Sequence, residues 1–292
     1  MPALVVTMAD PQGSRIRPSR LPGAAGCDHV RMDALLDQLR RRRDYECRLT
    51  PDRALGSLAE AASFLHERGM LTRTPDSALP SLYGACHEGP FRPGVPGFGS
   101  WPATKWMWPG ELAERGGVHA LKIHNGKMIL LTDEALALAD PICRSELDRM
   151  AAAEGEAGRL LRHLAQAGPS MTDDVQAELG LEPSRLRSVR APLERVGALV
   201  SRQVLVPAAG GGHLHRSVLA RWDQAYPEPA DAAGGMSELL AAAVRAAVLA
   251  PERELARWFS WRQLATSELI DSMAARGWLF RPAPGWVATP AP

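Results

Sequence analysis

The chain has 292 residues, a formal net charge of +1 at pH 7 and a hydrophobic fraction of 46%. This length suits two or three domains with cores of their own, and the near-neutral charge excludes a histone-like polycation, so any nucleic-acid footprint must be local. The four cysteines form no CxxC pair, and no apolar run is long enough to span a membrane. We therefore expect a cytoplasmic protein with no cofactor, no bound metal and no membrane partner.

The N-terminal part begins with a predicted flexible arm, residues 1–27, of which residues 9–27 are rich in Pro, Gly, Ser and Arg. A helix is predicted over 32–43, and a second amphipathic helix over 58–71 with a stop at Gly69. The inward positions of the first helix repeat at helical spacing: Met32, Leu35, Leu36 and Leu39.

A segment rich in tryptophan and lysine follows. Asn125 and Gly126 predict a type I′ turn between two strands within 119–130. All three lysines of the chain and three of its eight tryptophans fall nearby: Trp101, Lys105, Trp106, Trp108, Lys122 and Lys127. Aromatic rings beside cations can stack on bases while lysines hold phosphates, which makes Lys105, Trp106, Lys122 and Lys127 candidate DNA contacts. The alternative is a small core under the hairpin, anchored by Trp101 and Trp108.

The central part predicts three helices followed by two strands. The helices cover 158–167, 172–179 and 183–196, with Thr172 as a cap and with stops at Gly180 and Gly197; the strands cover 198–206 and 213–219 around a glycine-rich tip. Three helices and a two-stranded wing form a winged helix-turn-helix, whose third helix commonly enters the major groove of DNA.

Charge along this third helix and the wing supports DNA contact. From Pro183 to Arg221 there are seven arginines and one carboxylate, Glu194. With the apolar stripe inward, a helical projection places Ser184, Arg187, Ser188 and Arg195 outward, Arg190 on the flank and Arg185 nearer the buried side. Arginine bonds phosphates or a guanine edge in pairs. The alternative is a solvated helix face, and Pro192 predicts a kink or a late helix start.

The wing strands add further candidate contacts. Arg202 lies on the first strand and Arg216 on the second. His213 and His215 are two residues apart and so point to one face of the second strand. Because no third ligand is nearby in the sequence, phosphate contact is favoured over a metal site.

The C-terminal part repeats the same helical pattern after a Pro-, Ala- and Gly-rich linker at 223–235. Helices are predicted over 237–249, 252–259 and 263–276, followed by a short wing around Pro284-Gly285. Glu268 and Asp271 point outward from the third helix, so this copy is interpreted as a structural or protein-contact module.

The predicted fold class is therefore mainly α with short β-hairpins (α+β), built from tandem winged helix-turn-helix domains. The predicted boundaries are 1–27 for the arm, 28–150 for an N-terminal helical domain, 151–222 for the central winged helix, 223–235 for the linker and 236–292 for the C-terminal winged helix.

The segment from Leu58 to Leu71, Pro80-Ser81-Leu82, Trp106-Met107-Trp108 and the hairpin with Lys122 and Lys127 resemble AlkZ-related proteins. Those are relatives of the AlkZ and YcaQ DNA glycosylases, which unhook interstrand crosslinks. The resemblance covers roughly residues 55–225 and implies a tandem winged-helix architecture with duplex DNA as the partner.

The catalytic motif of those glycosylases, Gln-apolar-Gln, is absent, since no two glutamines of this chain are one residue apart. Gln203 stands alone in Gln203-Val204-Leu205. If the chain is a monofunctional glycosylase, a carboxylate would have to position the hydrolytic water, and Glu111 and Glu114 are the candidates. Both also suit the first turns of a helix simply as acids near its dipole.

Three functions remain open at this point. The first is a duplex-DNA-binding protein that recognises or excises alkylated bases, and the second is a transcriptional regulator that binds an operator as a dimer. The third is a protein-interaction module, because a winged helix does not fix function. The sequence leaves the oligomeric state open.

Overall fold

The computed structural model describes residues 25–207, 211–230, 234–261 and 266–290, with side chains from residue 32 onward. Most of the predicted arm lies outside these ranges. A long helix, α1 (Ala25–Glu46), precedes three groups of helices, each with its own three-stranded antiparallel sheet. The prediction of a mainly helical chain with short β-hairpins is thus confirmed. Over the residues described, no helix is long and apolar enough to cross a membrane.

The first group has the order helix, strand, two helices and hairpin. Its elements are α2 (Leu58–Arg68), β1 (Met70–Thr72), α3 (Leu82–Cys86), α4 (Trp108–Ala113), β2 (Val118–His124) and β3 (Lys127–Thr132). The side chain of Ser57 caps α2 by accepting from the Glu60 amide, and Gly69 ends it at a φ of 76°. The predicted extension of this helix to residue 71 is wrong, because the left-handed Gly69 turns the chain into β1, which pairs with β3.

The hairpin β2–β3 forms as predicted. Asn125 and Gly126 have φ values of 52° and 77°, the two positive values that a type I′ turn requires.

A connecting helix, α5 (Asp133–Ala152), leads into the second group. Its elements are α6 (Glu156–Ala167), β4 (Ser170–Met171), α7 (Thr172–Leu179), α8 (Pro183–Arg195), β5 (Leu199–Pro207) and β6 (His213–Arg221). Thr172 does not cap α7 as predicted, since its hydroxyl donates to the Ser217 carbonyl oxygen at 2.8 Å. Helix α8 runs through Pro192, so the predicted late start is wrong; the helix opens on Pro183, where the missing N–H costs nothing.

The third group follows a short helix, α9 (Trp222–Ala225), at the start of the predicted linker. Its elements are α10 (Met236–Ala247), β7 (Leu249–Pro251), α11 (Glu252–Trp258), α12 (Ser267–Ala275), β8 (Phe280–Ala283) and β9 (Trp286–Ala288). The predicted third helix began at residue 263, which lies outside the described ranges. The three sheets have the orders β1-β3-β2, β4-β6-β5 and β7-β9-β8. The first group therefore repeats the winged-helix order of the other two, a repeat that was not predicted from the sequence.

A continuous core joins the three groups. Ile123 of β2, Cys143 of α5, Leu193 of α8 and Trp258 of α11 belong to one buried cluster. Because this cluster crosses all three groups, it fixes the first hairpin against α8 and so shapes the space between them.

Helix α1 packs on the third sheet with Leu36 and Leu39. Met32 and Leu35, which were predicted to be buried, are exposed. The reason is that α1 covers the sheet with a single narrow row of side chains.

Candidate nucleic-acid interface

Helix α8 presents a polar outer face and an apolar inner one. Leu186, Val189 and Leu193 are buried, as the helical spacing predicted. The outward side chains of the projection are exposed in the structure: Ser184, Arg187, Ser188 and Arg195. Arg190 is half-buried on the flank. The helix therefore offers hydroxyl and guanidinium groups to solvent along one side.

Four arginines of this region are held by carboxylates. The nitrogen–oxygen distances are 2.6 Å for Arg185–Glu156, 3.7 Å for Arg190–Glu194, 2.8 Å for Arg216–Asp173 and 2.7 Å for Arg221–Asp223. The prediction that Arg185 points toward the buried side is wrong. Arg185 lies in the first turn of α8, where no neighbouring turn covers it, and it reaches across to the start of α6.

Three other arginines have no carboxylate within 4 Å in the part of the chain that is described: Arg187, Arg195 and Arg202. Arg195 packs against the first hairpin, since a methyl group built on Gly126 would lie 3.3 Å from its Nε. The guanidinium of Arg202 is 5.7 Å from the ring centre of Tyr226. Arg187 is therefore the cation of α8 that is best placed to meet a phosphate or a base edge.

The wing extends the same region. Strands β5 and β6 pair without interruption from Leu199 with Arg221 to Pro207 with His213. His213 and His215 are exposed on one face, as their spacing predicted, and Leu205 and Leu214 are exposed near the tip. The predicted tip, 207–212, is described only in part, since residues 208–210 lie outside the structure.

A cleft of about 510 Å³ separates the first group from the wing. One wall is formed by α4, the following loop and β2, and the other by β5 and Tyr226. Its apolar side chains include Val118, Leu121, Met128, Leu199 and Val204. Its polar side chains include Glu114, His119, Lys122, Glu194, Ser201 and Gln203. An apolar cleft of this size with a few polar groups is typical of a small-molecule or base-sized site.

An ion pair in the cleft joins the first hairpin to α8. Lys122 Nζ lies 3.0 and 2.9 Å from the two carboxylate oxygens of Glu194 and 3.4 Å from Ser201 Oγ. The Ser201 hydroxyl donates to the same carboxylate. Lys122, which was predicted to contact DNA, faces the cleft, because its strand presents this position toward α8.

Tyr226 closes one end of the cleft. Its ring lies 5.3 Å from the His119 ring and 4.6 Å from the Trp222 ring, and His119 Nε2 lies 2.7 Å from Asp133 Oδ1. Burial raises the pKa of Tyr226 above its usual range, and the nearby Arg202 opposes that shift. Tyr226 is therefore a neutral aromatic side chain at physiological pH.

The remaining predicted lysines have partners within the first group and the loop before it. Lys105 Nζ donates to the Leu55 carbonyl oxygen at 2.8 Å, and Lys127 forms an ion pair with Asp76. Trp106 is exposed beside Lys105 in the sequence. Trp101 and Trp108 pack against the small core of the first group, which is the structural alternative given above.

The two candidate catalytic carboxylates differ in position. Glu114 is exposed and lines the cleft, whereas Glu111 is half-buried on α4 and does not line it. Gln203 also lines the cleft, and its Nε2 donates to Ser217 Oγ at 2.6 Å. Among the described residues, no three His, Cys, Asp or Glu side chains form a group that could hold a metal ion.

Several residues of the cleft could not be identified from the sequence, among them His119, Ser201 and Tyr226. Tyr226 falls in the segment predicted to be a linker, and the pairing of Lys122 with Glu194 joins positions 72 residues apart. No local pattern marks such a pair, although a single carboxylate among seven arginines was a usable signal.

No protein-family model and no curated protein matches the chain. Among solved structures, the chain is similar to the Streptomyces sahachiroi DNA glycosylase AlkZ, with 14% sequence identity and a TM-score of 0.49. The match covers 87% of this chain and 70% of that one.

Proposed function

We propose that this chain binds duplex DNA through α8 and the β5–β6 wing and receives an extruded base in the cleft beside them. The observation that carries the proposal is the position of the cleft, since β5 forms both its wall and one strand of the wing. A duplex held on α8 and the wing would lie next to this opening. The sequence resemblance to AlkZ-related proteins points to the same partner.

The outer face of α8 suits a duplex for chemical reasons. Arg187 carries a planar guanidinium that bonds two oxygens of a phosphate or the edge of a guanine. Ser184 and Ser188 stand beside it on the same exposed side. Hydroxyl and guanidinium groups are common contacts to the phosphate backbone, which position a protein on DNA.

The cleft suits a flat, polar-edged ring. Enzymes that act on a base take it out of the stack and hold it by aromatic or apolar contacts and by hydrogen bonds to its edge. Val118, Leu121 and Tyr226 supply apolar surface, and Gln203 supplies an amide. Glu114 lines the cleft with an exposed carboxylate, so it is the residue to test for orienting a hydrolytic water.

Binding of plain and bulky-alkylated duplexes across a salt series tests this function. We expect tighter binding to the alkylated duplex and, for Arg187→Ala, weaker binding to both, with a salt slope lower by about one. The matched control is Arg253→Ala, because Arg253 is also exposed and has no carboxylate within 4 Å among the described residues, but it lies on α11.

The outcomes separate the three functions. Preference for the alkylated duplex would support lesion recognition, and abasic product would add base excision. Equal binding to both duplexes with a steep salt slope would favour a regulator. If Arg187→Ala bound both duplexes as tightly as the unmodified chain, that result would contradict the placement of DNA on α8.

A further inference from the structure

A cluster of exposed aromatic side chains lies outside the cleft and outside the α8 face. It belongs to the loop between α3 and α4, residues 87–107, which we call the aromatic loop. Its large apolar side chains are between 36 and 48% exposed: Phe91, Val95, Phe98, Trp106 and Met107. Contiguous exposed apolar surface on a folded protein marks an interaction site more often than isolated exposed residues do.

The aromatic loop is internally ordered. The Phe91 amide donates to the Trp101 carbonyl oxygen at 2.6 Å, and the Arg92 amide donates to the Gly99 carbonyl oxygen at 2.8 Å. Tyr83 Oη donates to the Trp106 carbonyl oxygen at 2.7 Å and ties the loop to α3. The exposed rings are therefore held in place before any partner binds.

The rings also fix one another. The Phe98 ring centre lies 5.3 Å from that of Phe91, 5.0 Å from that of Trp101 and 5.2 Å from that of Trp106. Trp101 is the inner member, and the guanidinium of Arg73 lies 4.2 Å from its ring centre. Arg73 thus contacts Trp101 on the inner side of the cluster. The partly exposed rings of Phe91, Phe98 and Trp106 form the outer side, which faces solvent.

The charge of the loop favours an anionic partner. The loop carries two cations, Arg92 and Lys105, and one acid, Glu88. Glu88 lies at the start of the loop, where it pairs with Lys105 at 3.6 Å and accepts from the Thr104 hydroxyl, so Arg92 is the cation that remains for a partner. The guanidinium of Arg92 lies 5.6 Å from the Phe91 ring centre, and Arg92 has no carboxylate within 4 Å among the described residues. Aromatic rings beside an arginine are features by which proteins bind single-stranded nucleic acid.

The loop also leads directly to the cleft. Met107 precedes the first residue of α4, and Pro109, Gly110 and Ala113 of that helix line the cleft. The aromatic loop is therefore joined along the chain to one wall of the cleft.

We propose that the aromatic loop is a binding site for unpaired nucleobases, which stack on Trp106, Phe98 and Phe91 while Arg92 holds the strand's phosphates. This proposal rests on the proposed function and adds that the bound DNA contains a single-stranded segment. Stacking increases the binding affinity with each base that stacks. Because every base has a flat π-face, the site accepts bases of any identity.

The test compares three DNAs of equal length: a fully paired duplex, a duplex with a five-nucleotide unpaired gap, and an oligo-dT single strand. We expect the gapped duplex to bind about tenfold more tightly than the paired one, and Trp106→Ala to remove that difference. Trp106→Phe, which keeps an aromatic face, should retain most of it.

The matched control is Tyr45→Ala. Tyr45 is an exposed aromatic residue with an arginine, Arg53, 4.1 Å from its ring centre, but it lies on α1. This variant should bind all three DNAs as the unmodified chain does. Circular dichroism should show that each variant is folded.

The outcomes distinguish this site from the proposed function. Duplex binding with no gain from the gap would overturn the aromatic-loop site and leave α8 in place. Tight binding of oligo-dT that Trp106→Ala abolishes, without duplex binding, would support the loop and contradict the duplex proposal. A gain from the gap that survives Trp106→Ala would also overturn the loop site and leave the surface to a protein partner.

Discussion

Lys122 of the first hairpin and Glu194 near the end of α8 form a bidentate contact, with Nζ 3.0 and 2.9 Å from the two carboxylate oxygens. Glu194 is buried, and it also accepts from Ser201 of β5. One carboxylate thus joins three elements that surround the cleft. We infer that this contact sets the distance between the hairpin and the wing.

Removing the carboxylate should destabilise the fold. Glu194→Ala leaves Lys122, Ser201 and Arg190 without the carboxylate that they share. Breaking such a pair costs about 3 kcal/mol when it is buried. Because Lys122 is 37% exposed, we expect a smaller loss, about 1–2 kcal/mol, in the free energy of unfolding measured by urea titration.

Two further variants control this measurement. Glu67→Ala removes an exposed carboxylate from α2 and should change the free energy of unfolding by less than about 0.5 kcal/mol. The double change Lys122→Met with Glu194→Leu removes both charges and should recover part of the loss. If Glu194→Ala changes the free energy of unfolding as little as Glu67→Ala does, the ion pair does not hold the hairpin to α8.

Asp140 predicts a pH dependence of stability. Burial alone would raise its pKa, but hydrogen bonds from Arg144, Trp222 and the Ala230 amide outweigh burial and hold the pKa below its usual 3.8. A carboxyl with a lowered pKa stabilises the fold above its unfolded-state value, and that stabilisation is lost as the pH falls through the folded-state value.

The variant Asp140→Asn should therefore be less stable than the unmodified chain at pH 7. The difference in the free energy of unfolding should stay constant down to about pH 5 and shrink as the pH falls below about 4. Chemical denaturation at several pH values measures it. A difference that grows toward acid pH would contradict the lowered pKa.

Gly197 predicts a steric effect at the end of α8. Its φ is 77°, and a Cβ there would lie 2.4 Å from Cys143 Sγ of α5. Gly197→Ala should therefore lower the free energy of unfolding by about 2–4 kcal/mol, through a left-handed backbone and an overpacked core.

Gly180 is the matched position for this change. Its φ is 61°, and nothing lies within 4 Å of a Cβ built there. Gly180→Ala should cost only the backbone term, about 1 kcal/mol, and thermal unfolding of both variants separates the two contributions. Equal losses would show that Cys143 moves aside.

The local signals in the sequence predicted local structure well. Asn125-Gly126 predicts a hairpin by itself, because these two residue types readily adopt the two positive φ values that a type I′ turn requires. Gly69, Gly180 and Gly197 end their helices for the same conformational reason. The stripe of α8 was also predictable, since burial follows the helical repeat.

What the sequence could not predict depends on distant packing. The loop from residue 87 to 107 hides the winged-helix order of the first group, because it separates α3 from α4. Tyr226 was assigned to a linker, but it packs on Trp222 and His119, which no spacing rule reveals. The cleft arises where these contacts meet, so its composition required the structure.

The cleft yields a prediction that separates lesion recognition from duplex binding. Ala113 is half-buried on the α4 wall of the cleft, and Ala113→Trp would fill much of the space in which an extruded base is proposed to lie. This variant should lose the preference for the alkylated duplex and keep its affinity for the plain one, because α8 is untouched. Ala113→Ser, which adds one oxygen, should keep both the preference and the affinity.

Arg187→Ala should give the opposite pattern, with both affinities lowered and the preference kept. Fluorescence-anisotropy titrations of the two duplexes measure all three variants, and a preference that survives Ala113→Trp would place the modified base elsewhere.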